Sequence, residues 1–380
     1  MTQPGMGGDV EPLAADVAVV GASAAGLAAA WAAAREGADT LLLEAKAQIG
    51  VPASPAALAF DHLWDAPFHA PWESVRRRHP GVRLRSPSGH ALDVAAPLSF
   101  LDRTRFDQWL AREAQALGAR VRAGVQGLRL EGRALRAEGL EVRAPILVFA
   151  DGARSLASTL LPTLRHPQSV AWGATLAFEA PHDDARVTLT LGAHARGGRS
   201  QLNPLEPGRW THWTFYRGAP QDAETRARAA LALDARLQGW DEDVATSARF
   251  EGVAPDPVYA LPGKISAPGI LVVGGAAGQG GLEAGLGAGV LAGRVAARCA
   301  KGRAKPLDYE RRWKLTRLAG HAALRGATER LARLGDDEVD ALLAPWSGRT
   351  IPIAQAWRAL GNPRGVGALA RAWWRARADR

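Results

Sequence analysis

Residues 16–44 of the chain read DVAVVGASAAGLAAAWAAAREGADTLLLE, and this stretch decides the fold. It opens with a short apolar run at 16–20, passes through GASAAG into an alanine-rich segment, and closes with a second apolar run at 40–43. A buried strand, a glycine turn, a helix and a second strand account for these parts in order. The spacing therefore predicts a βαβ unit with two parallel strands.

The glycine turn of this unit has the features of a dinucleotide site. Gly21 permits a tight turn out of the first strand, and Gly26 lets the helix sit close to the sheet. A pyrophosphate would then lie on free N–H groups at the helix N-terminus, where Ser23 adds a hydroxyl at the usual central glycine. Glu44 follows 18 residues after Gly26, where a carboxylate accepts hydrogen bonds from an adenosine ribose. The alternative is an ordinary βαβ unit whose glutamate faces solvent.

Beyond this unit, the spacing of apolar residues changes several times along the chain. Residues 45–100 contain seven prolines and predict an irregular excursion rather than a domain. Residues 102–117 have helical spacing, and 146–150 form a buried apolar run that predicts a strand. Between 168 and 216 apolar residues alternate, which predicts an antiparallel sheet and a second domain. A further strand at 270–273 precedes the most glycine-rich segment of the chain.

Composition excludes several classes of protein. A length of 380 residues suits about two domains, and 47% hydrophobic with 22% charged residues is ordinary for a globular chain. The first ten residues lack the pattern of a secretory signal, and no apolar run is long enough to span a bilayer, so we expect a cytoplasmic protein. Cys299 is the only cysteine, which excludes an internal disulfide and a cysteine-based zinc cluster. The nine histidines are scattered, and no metal site is predicted.

The positive charge of the chain is confined to its C-terminal part. Residues 301–380 hold 17 Lys or Arg and 8 Asp or Glu, so the whole formal excess of +9 lies there. This distribution argues against a catalytic body that binds nucleic acid. The tail sequence ARAWWRARADR sets Trp373 and Trp374 among arginines, a pairing that suits peripheral contact with an anionic membrane surface. An amphipathic helix that docks on its own protein is the alternative.

Three segments of the chain together resemble one protein superfamily. They are GASAAGLAAAWAAAREGADTLLLEAK at 21–46, LVFADGARSLAS at 147–158 and LVVGGAAGQGGLEAGLGAG at 271–289. In order and spacing they resemble the three FAD motifs of the geranylgeranyl reductase and aromatic hydroxylase superfamily, which includes group A flavin monooxygenases. The resemblance covers residues 14–320, and none of the three segments identifies a substrate.

The resemblance implies a cofactor site for FAD. Arg103 resembles the arginine that reaches the phosphate or ribityl region of the flavin, and backbone near Val125 would meet the adenine. Asp151 resembles the aspartate that lies between the two cofactor regions and lines a path to reduced nicotinamide. A simple turn at Asp151 and a surface charge at Arg103 are the alternatives. The implied cofactor-binding residues are Gly21, Ser23, Ala25, Gly26, Glu44, Arg103, Val125, Asp151, Gly274, Gly275, Ala276, Gly278, Gly285 and Gly287.

The third motif departs most from the family pattern. Where the family has Gly-Asp-Ala-Ala-Gly, residues 274–278 read GGAAG, so Gly275 replaces the carboxylate that holds the ribityl chain or phosphate side. Leu282 stands where proline is usual. A helix that begins near Gly285 and Gly287 can still direct its positive N-terminus at the flavin ring. FAD binding is expected to be weaker than in the family.

These signals predict an α/β fold that is α+β overall. A Rossmann-type FAD-binding domain would occupy residues 14–165 and 255–305, after a flexible lead at 1–13. An inserted antiparallel-sheet substrate domain would occupy 166–254, and a helical, basic C-terminal region 306–380. No second βαβ fingerprint is present, so NAD(P)H would visit transiently as electron donor. On the substrate-domain sheet, Trp213, Phe215 and Tyr216 are candidates for an apolar substrate pocket, with the sheet core as the alternative interpretation.

The resemblance leaves the reaction open. An FAD-dependent reductase that transfers hydride through flavin N5 to an apolar, isoprenoid-like substrate is the first hypothesis. An NAD(P)H-dependent monooxygenase is the second. A non-redox flavin-dependent cyclase or isomerase, and a binding protein on a degenerate flavoprotein fold, are the remaining two. The sequence does not predict the oligomeric state.

Overall fold

The computed structural model describes most of the chain and confirms the predicted mixed α/β architecture. The residues described are 11–54, 57–60, 71–162, 170–181, 184–195, 199–257, 263–331, 333–353 and 355–356. The chain divides into two compact units. The first comprises Met1–Ser54, Thr104–Arg165 and Pro262–Trp313, and the second Pro55–Arg103, His166–Leu261 and Lys314–Arg380.

The strands are short and number twenty-one in the described residues. The first thirteen are β1 (Glu11–Ala14), β2 (Val17–Val20), β3 (Thr40–Leu43), β4 (Leu58–Phe60), β5 (Val75–His79), β6 (Val82–Arg85), β7 (Ala91–Ala95), β8 (Leu98–Leu101), β9 (Arg120–Arg122), β10 (Arg129–Glu131), β11 (Ala134–Ala137), β12 (Leu140–Arg143) and β13 (Ile146–Phe149). The others are β14 (Val170–Glu179), β15 (Val187–Leu191), β16 (Arg199–Glu206), β17 (Arg209–Tyr216), β18 (Arg249–Pro257), β19 (Ser266–Ala267), β20 (Ile270–Val272) and β21 (Arg349–Pro352).

Seven α-helices accompany these strands in the described part of the chain. They are α1 (Ala24–Arg35), α2 (Arg103–Ala116), α3 (Ala223–Gln238), α4 (Asp243–Ser247), α5 (Leu282–Ala300), α6 (Pro306–Leu331) and α7 (Asp336–Leu343). None of the described helices is both long and apolar enough to cross a membrane.

The first unit is built on a six-stranded sheet in the order β19-β20-β13-β2-β3-β9. All of its strands run parallel except β19, which pairs with β20 in the antiparallel sense. The predicted βαβ opening is confirmed as β2, α1 and β3. Strands β2, β3 and β13 are buried at every position, as continuous apolar runs require in a sheet covered on both faces. A small second sheet joins β1, β12, β11 and β10.

Helices α1 and α5 pack so closely that glycine is required on α5. A Cβ atom added at Gly289 would lie 2.2 Å from the carbonyl oxygen of Ala25, and one at Gly293 would lie 2.2 Å from that of Ala29. Real Cβ atoms do not approach backbone this closely, so small residues set the distance between the two helix axes. The packing brings the N-terminal ends of both helices to the same edge of the sheet, because each helix follows one of its parallel strands.

The second unit contains an eight-stranded sheet in the order β18-β14-β17-β16-β15-β6-β7-β21. Its β14 to β18 part is antiparallel, as predicted, while β15 pairs with β6 and β21 with β7 in parallel. Helix α3 covers one face through an apolar cluster that includes Leu176, Trp210 and Leu231. A separate three-stranded sheet has the order β4-β8-β5.

A buried polar network lies on the α3 side of this large sheet. The carboxylate of Asp234, on α3, accepts hydrogen bonds from Arg85 (2.6 Å), Ser200 (2.7 Å) and His212 (3.0 Å), and burial of these four side chains is nearly complete. Burial alone would raise the pKa of Asp234. The hydrogen bond and charge of His212 and the charge of Arg85 outweigh that effect, so the pKa of Asp234 lies below its ordinary value. His194 extends the network through its Nε2 atom to Ser200, 3.0 Å away. The network joins strands β6, β16 and β17 to α3.

Three predictions about the course of the chain are corrected here. Residues 45–100, expected to be irregular, contain five strands, and Pro55–Arg103 belongs to the second unit rather than to the cofactor-binding domain. Part of the predicted flexible lead is β1, which pairs in parallel with β12. The predicted C-terminal region contains α6 and α7 but also β21, which extends the large sheet. The basic tail with Trp373 and Trp374 lies outside the described residues.

Candidate functional site

Four neighbouring parallel strands end at one edge of the first unit, and a predicted site residue follows each of them. In order across the sheet, Glu44 follows β3, Gly21 follows β2, Asp151 lies two residues beyond β13, and Gly274 lies two residues beyond β20. The register agrees, because Val20 pairs with Leu43 and Phe149 pairs with both Val20 and Val272. Adjacent strands lie about 4.8 Å apart, so the four residues span roughly 14 Å. Ligands of open parallel sheets bind along this edge.

The first glycine turn has the close approach that the sequence predicts. Gly21 has φ +95°, and a Cβ there would lie 2.8 Å from the carbonyl oxygen of Ala150. A Cβ at Gly26 would lie 1.9 Å from the carbonyl oxygen of Gly21, so both positions require glycine. The first-turn N–H groups of α1 have no acceptor within the helix and face this edge.

Ser23 is the N-cap of α1. Its hydroxyl oxygen accepts from the N–H of Gly26 at 3.3 Å, and its proton is donated to the carbonyl oxygen of Ala150 at 3.0 Å. The sequence suggested that this hydroxyl donates to a phosphate, whereas in the structure the donation goes to the backbone. What the turn offers an anion is therefore backbone N–H and the helix dipole.

Glu44 lies beside the glycine turn and beside the segment that contains Val125. Its carboxylate accepts from the N–H of Ala22 at 2.5 Å and from that of Lys46 at 2.9 Å. The N–H of Val125 donates to the carbonyl oxygen of Glu44 at 2.9 Å. The structure thus brings together the two residues predicted for the ribose and the adenine. Each oxygen of a carboxylate can accept more than one hydrogen bond, so ribose hydroxyls can still donate to this side chain.

Asp151 carries an oxygen with no partner. Its Oδ2 accepts from the N–H of Leu156 at 2.7 Å, while Oδ1 is buried and has no hydrogen-bond partner in the structure. Burial raises the pKa of this carboxyl group above its ordinary value. Buried polar atoms are almost always satisfied, so an unsatisfied one at a ligand-binding edge indicates a group supplied by a ligand.

The third motif forms a short 3₁₀ turn, Gly274–Ala277, followed by Gly278 in the left-handed conformation at φ +71°. Gly274 also has positive φ, +63°, and a Cβ there would lie 2.8 Å from the side chain of Ala25. Ala25 therefore packs on the third motif instead of facing a ligand. Gly275 is half-buried, and Ala276 is buried.

Helix α5 begins earlier than the sequence suggested. It starts at Leu282, so Gly285 and Gly287 lie inside it and not at its N-terminus. Leu282 occupies the first helical position, where proline is also tolerated because the N–H there has no intrahelical acceptor. Gly285 is buried against Ala25, with 3.6 Å from its ideal Cβ position to the Ala25 side chain.

Arg103 is the first residue of α2 and is 4% exposed, which excludes the surface-charge alternative. The start of α2 is attached to the segment before β4. The hydroxyl of Thr104 donates to the carbonyl of Gly50 at 2.9 Å, and the amide of Gln108 donates to that of Ile49 at 3.2 Å.

The three predicted pocket residues do not share one face of the large sheet. Trp213 and Phe215 lie on the face away from α3, with Phe100 of β8 5.8 Å from the Trp213 ring. Tyr216 points to the opposite face and is completely buried in the cluster beneath α3. It is a core residue and is removed from the candidate pocket, because neighbours along a strand face opposite sides.

Sequence reasoning missed two side chains behind the third motif, Gln279 and Tyr309. The N–H of Gly274 donates to Gln279 Oε1 at 2.8 Å, Gln279 Nε2 donates to the phenol oxygen of Tyr309 at 3.1 Å, and that phenol donates to the carbonyl of Val272 at 3.0 Å. Gln279 and Tyr309 are thirty positions apart in the sequence, so no local sequence pattern indicates that they are hydrogen-bonded to each other.

The residues along this edge fit an FAD molecule. Glu44 and Val125 would hold the adenosine, the turn from Gly21 to Gly26 the pyrophosphate, and Asp151 with the Gly274 turn the flavin side. The partnerless oxygen of Asp151 and the space that only glycine leaves at Gly21 are the observations that support the fit. No cluster of three metal-ligating side chains occurs among the described residues.

Comparison with known proteins identifies relatives. A family model described as FAD dependent oxidoreductase matches residues 16–83. The chain is 32% identical over 283 residues to digeranylgeranylglycerophospholipid reductase 2 of Methanopyrus kandleri, covering 70% of each chain. It is 27% identical over 364 residues to a digeranylgeranylglycerophospholipid reductase of Methanocaldococcus jannaschii, covering 86% of this chain and 89% of that one.

Solved structures share the fold over nearly the whole chain. A geranylgeranyl bacteriochlorophyll reductase-like protein of Thermoplasma acidophilum superposes with a TM-score of 0.79 at 21% identity, covering 95% of this chain and 96% of that one. A flavin-dependent brominase superposes with a TM-score of 0.61 at 16% identity, covering 97% and 100%. At these identities the likeness concerns the fold alone.

Proposed function

Because the chain belongs to the geranylgeranyl reductase family of FAD-dependent oxidoreductases, we propose that it reduces carbon–carbon double bonds in an isoprenoid lipid. The observation that carries the proposal is the order of motifs along one sheet edge, from Glu44 through Gly21 and Asp151 to Gly274. That order matches the adenosine, pyrophosphate and flavin parts of one extended FAD. The reductases of Methanopyrus kandleri support the substrate class, since their names specify a geranylgeranyl lipid.

The protein's own contribution is binding, orientation and electrostatics. Reduced FAD, when bound, supplies a hydride from N5 of its ring. The turn at Gly21 binds the pyrophosphate through backbone N–H groups, and Glu44 fixes the adenosine by accepting from its ribose. The N-terminus of α5 carries about half a unit of positive charge and would favour negative charge on a group bound near it.

Residues of the second unit suggest what the substrate looks like. Trp213 and Phe100 are buried in an apolar cluster on one face of the large sheet. Phe215 packs against this cluster and is only partly buried, so an apolar chain would meet it there. The guanidinium of Arg199 lies 4.3 Å from the centroid of the Phe215 ring on the same face. Within the described residues no acidic side chain forms an ion pair with Arg199, so an anionic headgroup on the lipid would find a cation there.

We further propose that electrons come from NAD(P)H in solution. The chain has one βαβ fingerprint, which the proposed FAD occupies, so a nicotinamide would reduce the flavin during a transient visit. Anaerobic mixing of the FAD-loaded protein with NADH or NADPH tests this step. Bleaching of the visible flavin absorption by one of them supports it, and bleaching only by dithionite indicates a different physiological donor.

The reductase activity is tested under anaerobic conditions. The protein is reduced with dithionite and mixed with a geranylgeranyl glycerophospholipid in detergent micelles, and the product is analysed by mass spectrometry. We expect the flavin absorption to return without oxygen, with two hydrogen atoms gained for each reduced double bond. A hydroxylated product that forms only when oxygen is admitted would identify a monooxygenase instead. A rearranged product of unchanged mass would identify an isomerase or cyclase, and purified protein that binds no FAD would indicate a degenerate fold.

A variant at Arg199 tests the contribution of the lipid headgroup separately from that of the isoprenoid chain. Arg199→Gln is expected to raise the KM for the phospholipid about tenfold, from the loss of one charge-assisted contact, with little change in kcat. The same variant should retain the wild-type KM for the neutral alcohol geranylgeraniol. Equal effects on both substrates would contradict an anionic headgroup at this position.

A further inference from the structure

The glycine turn that ends β20 is held from the protein interior by two side chains. Gln279 is 1% exposed, and Tyr309, in the first turn of α6, is fully buried. Their hydrogen bonds run from the N–H of Gly274 through Gln279 and Tyr309 back to the carbonyl of Val272. The hydrogen bonds of these two side chains therefore link Gly274, the first residue of the turn, to Val272, the last residue of β20. We call this arrangement the Gln279–Tyr309 brace.

The turn itself has little intrinsic rigidity. Three of its five residues are glycines, and two of these, Gly274 and Gly278, have positive φ. Glycine loses more conformational freedom on ordering than any other residue, so the observed shape needs support from outside the turn. The brace supplies that support through buried, directional hydrogen bonds. Loss of the phenol hydroxyl would leave Gln279 Nε2 without its acceptor in a dry environment.

The missing acid at Gly275 makes this support important for binding. With no carboxylate at that position, the turn offers a cofactor its backbone groups and its shape alone. Binding through preformed backbone geometry depends on how well that geometry is fixed before the ligand arrives. We propose that Gln279 and Tyr309 are positioning residues that hold the turn in its FAD-binding shape and so compensate for Gly275. The inference rests on the FAD site and is independent of the proposed substrate.

The position of the brace predicts a selective effect. It supports the residues after β20, whereas Glu44 and Gly21 follow β3 and β2, on the other side of β13. The adenosine half of the cofactor should therefore bind without the brace, and the flavin half should not. ADP, which contains the adenosine and pyrophosphate but no flavin, is the probe that separates the two.

The test titrates flavin-free full-length protein with FAD and with ADP. Tyr309→Phe removes only the hydroxyl and is expected to weaken FAD binding about five- to thirtyfold, the range for one lost buried hydrogen bond. ADP affinity should stay within about twofold of the wild type, given the precision of such comparisons. Gln279→Met should give the same selective loss. The double variant should lose no more than the larger single effect, because both side chains act through one chain of bonds.

Glu310→Gln is the matched control. Glu310 is the next residue of α6, is also buried, and accepts from the N–H of Ile265 and the hydroxyl of Ser266, and not from residues 274–278 of the turn. This variant should lower the melting temperature and leave both affinities unchanged. The proposal is overturned if Tyr309→Phe weakens FAD and ADP equally, or if neither brace variant changes FAD affinity. A protein that binds ADP but no FAD even in the wild type would instead refute the FAD site.

Discussion

Gly275→Asp introduces the carboxylate that the resemblance leads us to expect at this position, and it is expected to tighten FAD binding. The backbone permits the change, because Gly275 does not have the positive φ of its neighbours Gly274 and Gly278. Its carbonyl already accepts from the N–H of Gly278 at 3.1 Å, so the turn is formed before substitution. A carboxylate that accepts from a cofactor hydroxyl is worth about 1.5 to 3 kcal/mol, which corresponds to about one to two powers of ten in affinity.

The assay is a titration of flavin-free wild type and variant with FAD, followed by melting curves in excess FAD. The melting temperature should rise in the variant only when FAD is present, since a ligand that binds the folded state stabilises it by mass action. Gly275→Asn is the control for shape without charge and should give a smaller gain. Gly274→Asp is the control for position, because its Cβ would lie 2.8 Å from Ala25 on a positive-φ backbone. Equal or weaker FAD binding by Gly275→Asp would refute the reasoning, since an unpaired carboxylate in an altered pocket only destabilises.

Four further outcomes are expected. Glu44→Ala should weaken FAD binding by about 1.5 to 3 kcal/mol in the same titration, and unchanged affinity would refute the ribose contact. Gly289→Ala should lower the free energy of unfolding by about 1 to 3 kcal/mol in urea, because its Cβ meets the Ala25 carbonyl at 2.2 Å, whereas Gly326→Ala, with open space around it, should be neutral or stabilising. Burial lowers the pKa of His194, so below about pH 6.5 the folded chain binds fewer protons than the unfolded chain. The free energy of unfolding should therefore fall as the pH decreases there, by at most about 1.4 kcal/mol per pH unit. His194→Asn should reduce that slope. Full-length protein should co-sediment with anionic liposomes more than a variant that ends at Gly361, and equal sedimentation would exclude the tail as a membrane contact.

Local sequence patterns predicted the cofactor edge because each of its motifs is contiguous. The strand, turn and helix around Gly21 and Gly26 occupy one short stretch, and the turns after β13 and β20 follow apolar runs of three or four residues. Parallel strands that end at one edge bring such turns together without further information. The sequence therefore identified which segments meet, although it placed the start of α5 three residues too late.

Prolines misled the interpretation of residues 45–100. Pro80 lies between β5 and β6, Pro87 between β6 and β7, and Pro97 between β7 and β8, so these prolines separate strands and do not prevent them. These strands are four or five residues long, and two of them, VRRRH and VRLR, are rich in arginine, which weakens any apolar alternation. Strands β6 and β7 also pair with the distant strands β15 and β21, and this pairing has no local signal.

The contrast between Gly275 and the Gln279–Tyr309 brace explains why the site could be only partly predicted. A missing carboxylate is visible in a sequence, because one residue type has a fixed place in a motif. The compensation is not visible, because Gln279 gains its role only when α6 folds back and brings Tyr309 to within 3.1 Å of it. A motif records which groups touch a ligand, while the groups that hold the motif in shape are dispersed along the chain. The affinity of this turn for FAD is therefore determined by residues that no reading of the turn itself would select.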